Sequence, residues 1–223
     1  MLEPEEFLAR LDEADRADLA ARGRHRRWPA GASLFLEGDR ATTVVVVVTG
    51  RVKVFSLTEQ GEEVVLAVRG PGALLGELTA VDGTERGTSV SALEPVVALV
   101  VPAPAFVTFL HDRPAAAMVL LRLVTSRLRD ADRKRVEFGA YDIAARVAGR
   151  LVELADRFGE AVPDGVRISV PLSQDELAGW VGASREAVAK ALRVLRDRGL
   201  VTTGRRTMTV LDLDGLRGRA RGR

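Results

Sequence analysis

The sequence predicts a mixed α+β protein with an N-terminal β-roll, a long helix and a C-terminal winged helix-turn-helix. Three patterns predict this order. Residues 31–101 hold short Val- and Leu-rich runs separated by glycine, residues 114–138 contain nothing that breaks a helix, and residues 172–210 fit a helical hairpin followed by a β-hairpin. The predicted segments are 1–113 for the roll with flanking helices, 114–139 for the long helix and a hinge, and 140–223 for the winged domain with a basic tail.

The composition supports a packed core and excludes several kinds of chemistry. The chain has 223 residues, 47% of them hydrophobic, and 33 basic against 31 acidic side chains, a net charge of +2. The absence of cysteine excludes disulfides, thiolate zinc sites, cysteine-ligated iron–sulfur clusters and cysteine nucleophiles. Two histidines, His25 and His111, leave little for an imidazole centre, so we expect no metal.

The sequence predicts a cytoplasmic protein. Residues 1–16 carry six acidic side chains, the wrong charge for a signal or transit peptide. The longest uncharged apolar stretch, residues 95–110, is too short to span a bilayer and contains three prolines.

The charge is unevenly distributed along the chain. Residues 185–223 contain eleven Lys or Arg against four Asp or Glu, a net +7, which leaves −5 for the rest. A basic end suggests a polyanionic partner. The alternative is a solvated tail, because four of these arginines lie within residues 217–223.

The first segment has the strand spacing of a roll, barrel or sandwich. The five valines at 44–48 do not alternate with polar residues, so this strand is predicted to be buried on both faces. An amphipathic helical pattern over residues 2–22 is predicted to pack on the outside of the roll. The predicted strands are 33–36, 42–49, 51–57, 63–69 and 89–101.

The long helix carries a heptad pattern of apolar residues. Such a seam usually pairs with another helix, which favours a homodimer; the alternative is packing against the chain's own roll. Gly139 is predicted to stop the helix and Asp142 to cap the next one, Ile143–Phe158. The seam consists of Ala117, Leu121, Val124, Leu128, Ala131, Arg135 and Phe138.

The basic end contains a helix-turn-helix pattern. Ser173 and Glu176 form a capping box, Gly182 lies where the turn needs a positive φ, and Ser184 caps the second helix. The buried stripe of that helix is predicted to be Val188, Ala191, Leu192 and Leu195, and Gly199 ends it.

The opposite face of the second helix suits the major groove of DNA. Arg185 can donate two hydrogen bonds to guanine, Glu186 can accept from cytosine, and Lys190 can reach guanine or phosphate. The start of the first helix suits a phosphate, and two arginines lie at the tip of the predicted wing. The alternative is an ordinary helical hairpin with surface charges. The candidate DNA-binding residues are Ser173, Gln174, Ser184, Arg185, Glu186, Lys190, Arg205 and Arg206.

A glycine-rich loop over residues 70–78 predicts a phosphate cradle. It is not a dinucleotide-binding loop, because its third glycine is one residue late and no βαβ unit surrounds it. Backbone amides near Gly76, the Arg86 guanidinium and a nearby hydroxyl can hold an anion, while Glu77 can accept from a sugar hydroxyl. The alternative is a hairpin tip with a solvated Glu–Arg pair.

Over residues 5–215 the chain resembles the cyclic AMP receptor protein/fumarate-nitrate reductase regulator (Crp/Fnr) family of bacterial transcription factors. The resemblance rests on the roll, Gly76-Glu77-Leu78 with Arg86, the long helix, and residues 183–188. It implies a β-roll sensor, a dimerising helix and a winged helix-turn-helix that binds palindromic DNA. In the cyclic-nucleotide branch, residues matching Gly76, Glu77, Leu78 and Arg86 hold ribose and phosphate, and those matching Arg185, Glu186 and Lys190 face bases.

Two departures from that branch leave the effector open. The hydroxyl expected after the phosphate arginine is Gly87 here, with Thr88 next, and the pair that meets adenine aligns with Ala131 and Asp132. The lack of cysteine excludes the iron–sulfur branch, and two histidines argue against haem. The candidate effector-binding residues are Gly76, Glu77, Leu78, Arg86, Gly87, Thr88, Ala131 and Asp132.

Three functions compete at this point. The first is a homodimeric DNA-binding regulator controlled by a small anionic effector, with cyclic AMP (cAMP) as the candidate. The second is the same regulator with a ligand-free sensor or another metabolite. The third is an enzyme, which the sequence disfavours because it shows no nucleophile–base pair, metal cluster or P-loop. The expected partners are double-stranded DNA, a second copy of the chain and RNA polymerase, with no membrane.

Overall fold

A computed structural model describes residues 6–204 and 207–222. The chain divides into two compact units. One contains the described residues up to Ser56 together with Leu66–Asp130, and the other contains Leu57–Val65 and the residues from Ala131 onward. Within the described ranges, no helix has the length and apolar character needed to cross a membrane.

The predicted roll is present as two four-stranded sheets, ordered β1-β8-β3-β6 and β2-β7-β4-β5. Strand β3 pairs antiparallel with β6 and β8, and β7 pairs antiparallel with β2 and β4. The strands are β1 (Arg24–Trp28), β2 (Ser33–Phe35), β3 (Thr43–Thr49), β4 (Val52–Leu57), β5 (Glu63–Arg69), β6 (Leu74–Leu75), β7 (Ser89–Ala92) and β8 (Val96–Pro102).

Strand β3 lies at the centre of the core, as its valines predict. Val44 and Val46 belong to one hydrophobic cluster, with Leu74 and Phe106, whereas Val45 and Val47 belong to another, with Trp28 and Ala98. These four valines are buried, and the fifth, Val48, is partly buried against the first cluster. The lack of alternation in this strand therefore reflects burial on both faces, and the prediction is confirmed.

In the described part of the first unit, four short helices accompany the roll, namely α1 (Phe7–Arg10), α2 (Glu13–Ala21), α3 (Glu77–Asp82) and α4 (Ala103–Asp112). The single helical pattern predicted over residues 2–22 is divided in the structure. Asp12 accepts a hydrogen bond from the Asp15 amide at 2.7 Å and so caps a new helix, which separates α2 from α1. Phe7 and Leu19 are buried against the roll, as the amphipathic pattern predicts.

The long helix, α5, spans Pro114–Ala140. It runs through Gly139, so this glycine is not its stop as predicted; Asp142 then caps the next helix through the Ala145 amide, at 2.7 Å. Its stripe of Ala116, Leu120 and Leu123 packs into the roll core. Leu121 and Leu128 of the predicted seam are 56% and 62% exposed, so the seam does not pack on the chain's own roll at these positions.

The second unit has a four-stranded sheet, ordered β11-β12-β10-β9, and four further helices among the described residues. The wing, β11–β12, lies where the sequence predicts it, whereas the hairpin β9–β10 was not predicted. The elements are α6 (Ile143–Phe158), β9 (Gly159–Val162), β10 (Gly165–Ile168), α7 (Gln174–Val181), α8 (Arg185–Asp197), β11 (Val201–Gly204), β12 (Thr207–Val210) and α9 (Leu213–Ala220).

Part of the basic tail is folded rather than solvated. Helix α9 packs on α6 and buries Leu216 completely. Arg219 donates to the Asp142 carboxylate at 2.7 Å, and Arg217 donates to Asp156 at 2.8 Å. Two hydrogen bonds to its carboxylate lower the pKa of Asp142: the larger effect comes from the Ala145 amide at the start of α6, and the smaller from Arg219.

Candidate functional site

The glycine-rich loop of the first unit places Gly76 against Arg86. Gly76 has φ +74° and precedes α3, and a β-carbon added there would overlap Nη1 of Arg86. Arg86 Nη1 donates to the Gly76 carbonyl and to Thr79 Oγ1, both at 3.0 Å. Position 76 therefore needs glycine for its backbone conformation and for the space that the guanidinium occupies.

Arg86 is a buried cation whose direct contacts are neutral groups. It is only 4% exposed, and its Cζ lies 4.2 Å from the centroid of the Phe35 ring. Its Nη2 donates to the Thr43 carbonyl, and within the described residues its Nε finds no acceptor. Burial lowers the pKa of Arg86, against the opposing field of Asp39 and Glu77. Burying a charge without an ion-pair partner costs free energy, so an anion that binds beside Arg86 would be strongly stabilised.

Glu77 is also buried but has an ion-pair partner. Its Oε1 accepts from Arg127 Nη1 at 2.7 Å, and Arg127 also donates to the Leu74 carbonyl at 2.9 Å. Arg127 is a further candidate site residue, which the sequence analysis missed. A signal was present, because Arg127 continues the inward stripe of α5 four residues after Leu123, where an apolar residue would be expected.

The other candidate effector residues are less enclosed. Leu78 and Gly87 are exposed, and Thr88 is half-buried. Ala131 and Asp132 are exposed on α5 and belong to the second unit. The loop therefore brings Gly76, Glu77 and Arg86 together, while Thr43, Thr79, Phe35 and Arg127 are the further contributors.

The helix-turn-helix has the predicted caps. The Ser173 hydroxyl accepts from the Glu176 amide at 3.1 Å, and Glu176 accepts from the Ser173 amide at 2.8 Å. The Ser184 hydroxyl accepts from the Ala187 amide at 3.2 Å. Gly182 has φ +60°, and the predicted stripe Val188, Ala191, Leu192 and Leu195 is buried.

The opposite face of α8 is open to solvent. Arg185, Glu186 and Lys190 are exposed, as is Gln174 at the start of α7. Arg185 Nη1 lies 3.6 Å from Asp175 Oδ2, with both side chains more than half exposed. Hydrogen bonds from its own backbone and from Ser184 lower the pKa of Glu186. The wing arginines Arg205 and Arg206 lie outside the described residues.

Comparison with known proteins shows which protein family the chain belongs to. Residues 25–113 match the cyclic nucleotide-binding domain and residues 145–219 match the Crp-like helix-turn-helix domain. The chain is 32% identical to a CRP-like cAMP-activated global transcriptional regulator of Mycobacterium tuberculosis over 87% of both chains. It is 31% identical to the cyclic AMP receptor protein of Thermus thermophilus over 88% of both chains. This chain belongs to the Crp/Fnr family.

A solved structure agrees on the fold of this Crp/Fnr protein. The c-di-GMP-responsive global regulator CLP of Xanthomonas campestris superposes with a TM-score of 0.80 over 90% of this chain and all of that one, at 23% identity. As a family member, the protein is a DNA-binding transcriptional regulator with a cyclic nucleotide-binding domain, and it is not an enzyme. In the ranges 6–204 and 207–222, no group of His, Asp or Glu side chains is arranged to hold a metal ion.

Proposed function

We propose that this Crp/Fnr regulator is a cytoplasmic homodimer that binds palindromic DNA under the control of a small anionic effector of the cyclic-nucleotide class, with cAMP the first candidate. The observation that carries the effector is Arg86, a buried guanidinium whose acceptors are neutral oxygens. A cyclic phosphate supplies the missing negative charge. The relatives that are named for cAMP support the same nucleotide.

The proposed effector contacts follow from this geometry. Arg86 holds the phosphate and Glu77 holds a sugar hydroxyl, with Gly76, Leu78, Gly87 and Thr88 around them. Ala131 and Asp132 are proposed to face the base. Because Glu77 is already paired with Arg127, ligand binding must either keep this pair as part of the pocket or exchange it.

The proposed DNA contacts lie on α8, the start of α7 and the wing. Arg185, Glu186 and Lys190 face bases, whereas Ser173, Gln174, Ser184, Arg205 and Arg206 face the backbone. Dimerisation through the exposed seam of α5 places two such surfaces on one duplex, where half-sites lie about 34 Å apart. RNA polymerase is the further partner in this proposal. The functional segments are 1–113, 114–139 and 140–223.

Calorimetric titration of the full chain with cAMP and cyclic GMP tests the effector. We expect heat from one of them, and we expect its loss in Arg86→Gln. Arg40→Gln is the matched control, because it removes the same charge from an exposed position of the same unit. Absence of heat from both nucleotides would remove the cyclic-nucleotide effector, and unchanged affinity in Arg86→Gln would remove Arg86 from the site.

A second candidate, a regulator whose roll takes another metabolite or none, is favoured by two observations. Gly87 stands where the resemblance places a hydroxyl, and both terminal nitrogens of Arg86 already donate to protein oxygens. DNA affinity with and without cAMP, at one stated salt concentration, separates the two candidates. Equal affinity in both conditions supports the second.

A further inference from the structure

A second buried arginine lies in the second unit, away from the exposed face of α8. Arg150 of α6 is 5% exposed. Its Nη1 donates to Glu153 Oε2 of the same helix at 2.9 Å, and its Nη2 donates to Glu137 Oε2 in the last turns of α5. One guanidinium therefore joins the end of the long helix to the first helix of the winged domain.

A second cation and an aromatic ring complete this cluster. Lys134 Nζ lies 3.6 Å from Glu153 Oε2, so Lys134 and Arg150 balance the charges of Glu137 and Glu153. Lys134 Nζ is 5.7 Å and Arg150 Cζ 5.8 Å from the ring centroid of Trp180, which is buried on α7. The cluster thus joins α5, α6 and the first helix of the helix-turn-helix.

The same turns of α5 contact the helix-turn-helix at another point. A β-carbon added at Gly182 would lie 2.6 Å from Cε1 of Phe138, and Cζ of Arg146 on α6 lies over the same ring, 5.1 Å from its centroid. Phe138, which the heptad pattern assigns to the seam, lies against the turn between α7 and α8 with about half of its surface still exposed. Two contacts, one ionic and one apolar, therefore fix the end of α5 on this domain.

The choice of charges points to geometry rather than to stability. Replacing a buried ion pair by apolar residues is often neutral or stabilising, whereas a forked guanidinium between two carboxylates requires one specific arrangement. An apolar contact such as Phe138 on Gly182 tolerates sliding, and the Arg150 cluster restricts it. The Arg150 cluster therefore restrains the angle between the end of α5, from residue 131 onward, and the helix-turn-helix.

We propose that Arg150 is a positioning residue that fixes the recognition helix α8 relative to the end of α5 and so sets the half-site spacing that the dimer accepts. This inference rests on the proposed homodimer. In a dimer joined along α5, the angle that Arg150 fixes determines the separation and phase of the two copies of α8. Inserting one base pair between the half-sites changes their separation and their helical phase. The dimer must then reorient its two copies of α8, or one of them loses its half-site.

The test uses duplexes of varied spacing. A palindrome is first selected from random DNA with the full-length protein, and duplexes are then made with one base pair inserted or deleted between half-sites, together with a single half-site. Anisotropy at fixed salt gives the affinity for each. We expect the wild type to prefer its own spacing by roughly tenfold or more, because misplaced half-sites lose simultaneous engagement.

The variants separate positioning from folding. In Arg150→Met the spacing preference should fall at least about threefold while single half-site affinity stays within about twofold, and Arg150→Lys, which keeps the charge but not the fork, should be intermediate. Arg157→Met, at the other end of α6, is the matched control and should keep the wild-type preference. If Arg150→Met does not fold, Glu137→Gln tests the same contact from α5.

Three outcomes overturn the inference. An unchanged spacing preference in folded, dimeric Arg150→Met or Glu137→Gln would assign Arg150 to stability alone. Equal weakening on all duplexes, including the single half-site, would show a general loss of the DNA-binding surface. A wild-type protein that stays monomeric by sedimentation would overturn the proposed dimer and this inference with it, which distinguishes that failure from the other two.

Discussion

At the scale of single residues, two buried arginines have opposite electrostatic surroundings. Arg86 donates to carbonyl and hydroxyl oxygens, which do not balance its charge, whereas Arg150 donates to two carboxylates, which do. An arriving anion therefore gains at Arg86 and would be repelled by Glu137 and Glu153 near Arg150. Arg86 therefore suits a ligand-binding site, whereas Arg150 suits a structural contact between helices α5 and α6.

Arg185→Ala tests base recognition at this scale. Arg185 is exposed and its pair with Asp175 is solvated, so the substitution should leave the stability of the free protein nearly unchanged. Binding to the selected palindrome should weaken by about 1–3 kcal/mol, with relaxed preference at one base pair. Anisotropy on duplexes with single base-pair changes measures both effects.

Arg198→Ala is the matched control for Arg185→Ala. It removes the same charge from the exposed C-terminal end of α8, and the base preference should stay as in the wild type. If Arg185→Ala weakened binding equally on every duplex, Arg185 would contact phosphate rather than a base.

At the scale of elements, the sequence predicted the helix caps and turns, because these depend on residues that are close together along the chain. The Ser173–Glu176 capping box and the turn at Gly182 lie within a few residues of sequence, and each was found where it was predicted. Arg127 with Glu77 and Arg150 with Glu137 join residues that are far apart along the chain or lie on different helices. Periodicity can mark a charged residue on an inward stripe, as at Arg127, but it does not identify the partner, so the sequence analysis missed both pairs.

The hairpin β9–β10 was missed for a different reason. Its strands have four residues each, and those of β9 are almost all exposed, so they leave no apolar alternation to detect. The break between α1 and α2 was missed because the apolar spacing continues across Asp12. There the cap hydrogen bond at Asp15 outweighed the periodic pattern.

Gly182→Ala tests the contact between α5 and the turn. Alanine at φ +60° is strained by about 1–2 kcal/mol, and its β-carbon would in addition meet Phe138. Gly199→Ala is the matched control, because Gly199 has φ +69° but nothing within 4 Å of an added β-carbon. Urea unfolding should show a larger loss of stability for Gly182→Ala than for Gly199→Ala. Equal losses would mean that Phe138 moves aside freely.

At the scale of the whole molecule, one chain combines a cyclic nucleotide-binding domain in its mildly acidic part with a DNA-binding domain that ends in its basic part. The matched domains fall at 25–113 and 145–219, and the intervening α5 carries the exposed apolar residues Leu121 and Leu128. These two leucines lie seven residues apart, on one line of the helix, which suits a second copy of the same helix. They also mark the surface on which the proposed dimer depends.

Leu121→Glu combined with Leu128→Glu should give a folded monomer. Both side chains are exposed in the single chain, so the change should spare the fold, whereas two facing rows of carboxylates would repel each other in a dimer. Sedimentation measures the association. Arg122→Glu, one residue from the seam, is the control and should remain dimeric. A variant with both leucines replaced that still dimerises would place the interface elsewhere.

The overlap between the missing β-carbon of Gly76 and the guanidinium of Arg86 has an evolutionary consequence. Each position constrains the other, because a side chain at 76 would displace the guanidinium, and a shorter residue at 86 would remove the donor to the Gly76 carbonyl and the Thr79 hydroxyl. In diverged relatives that no longer carry this arginine, we expect the glycine ten residues earlier to have changed as well.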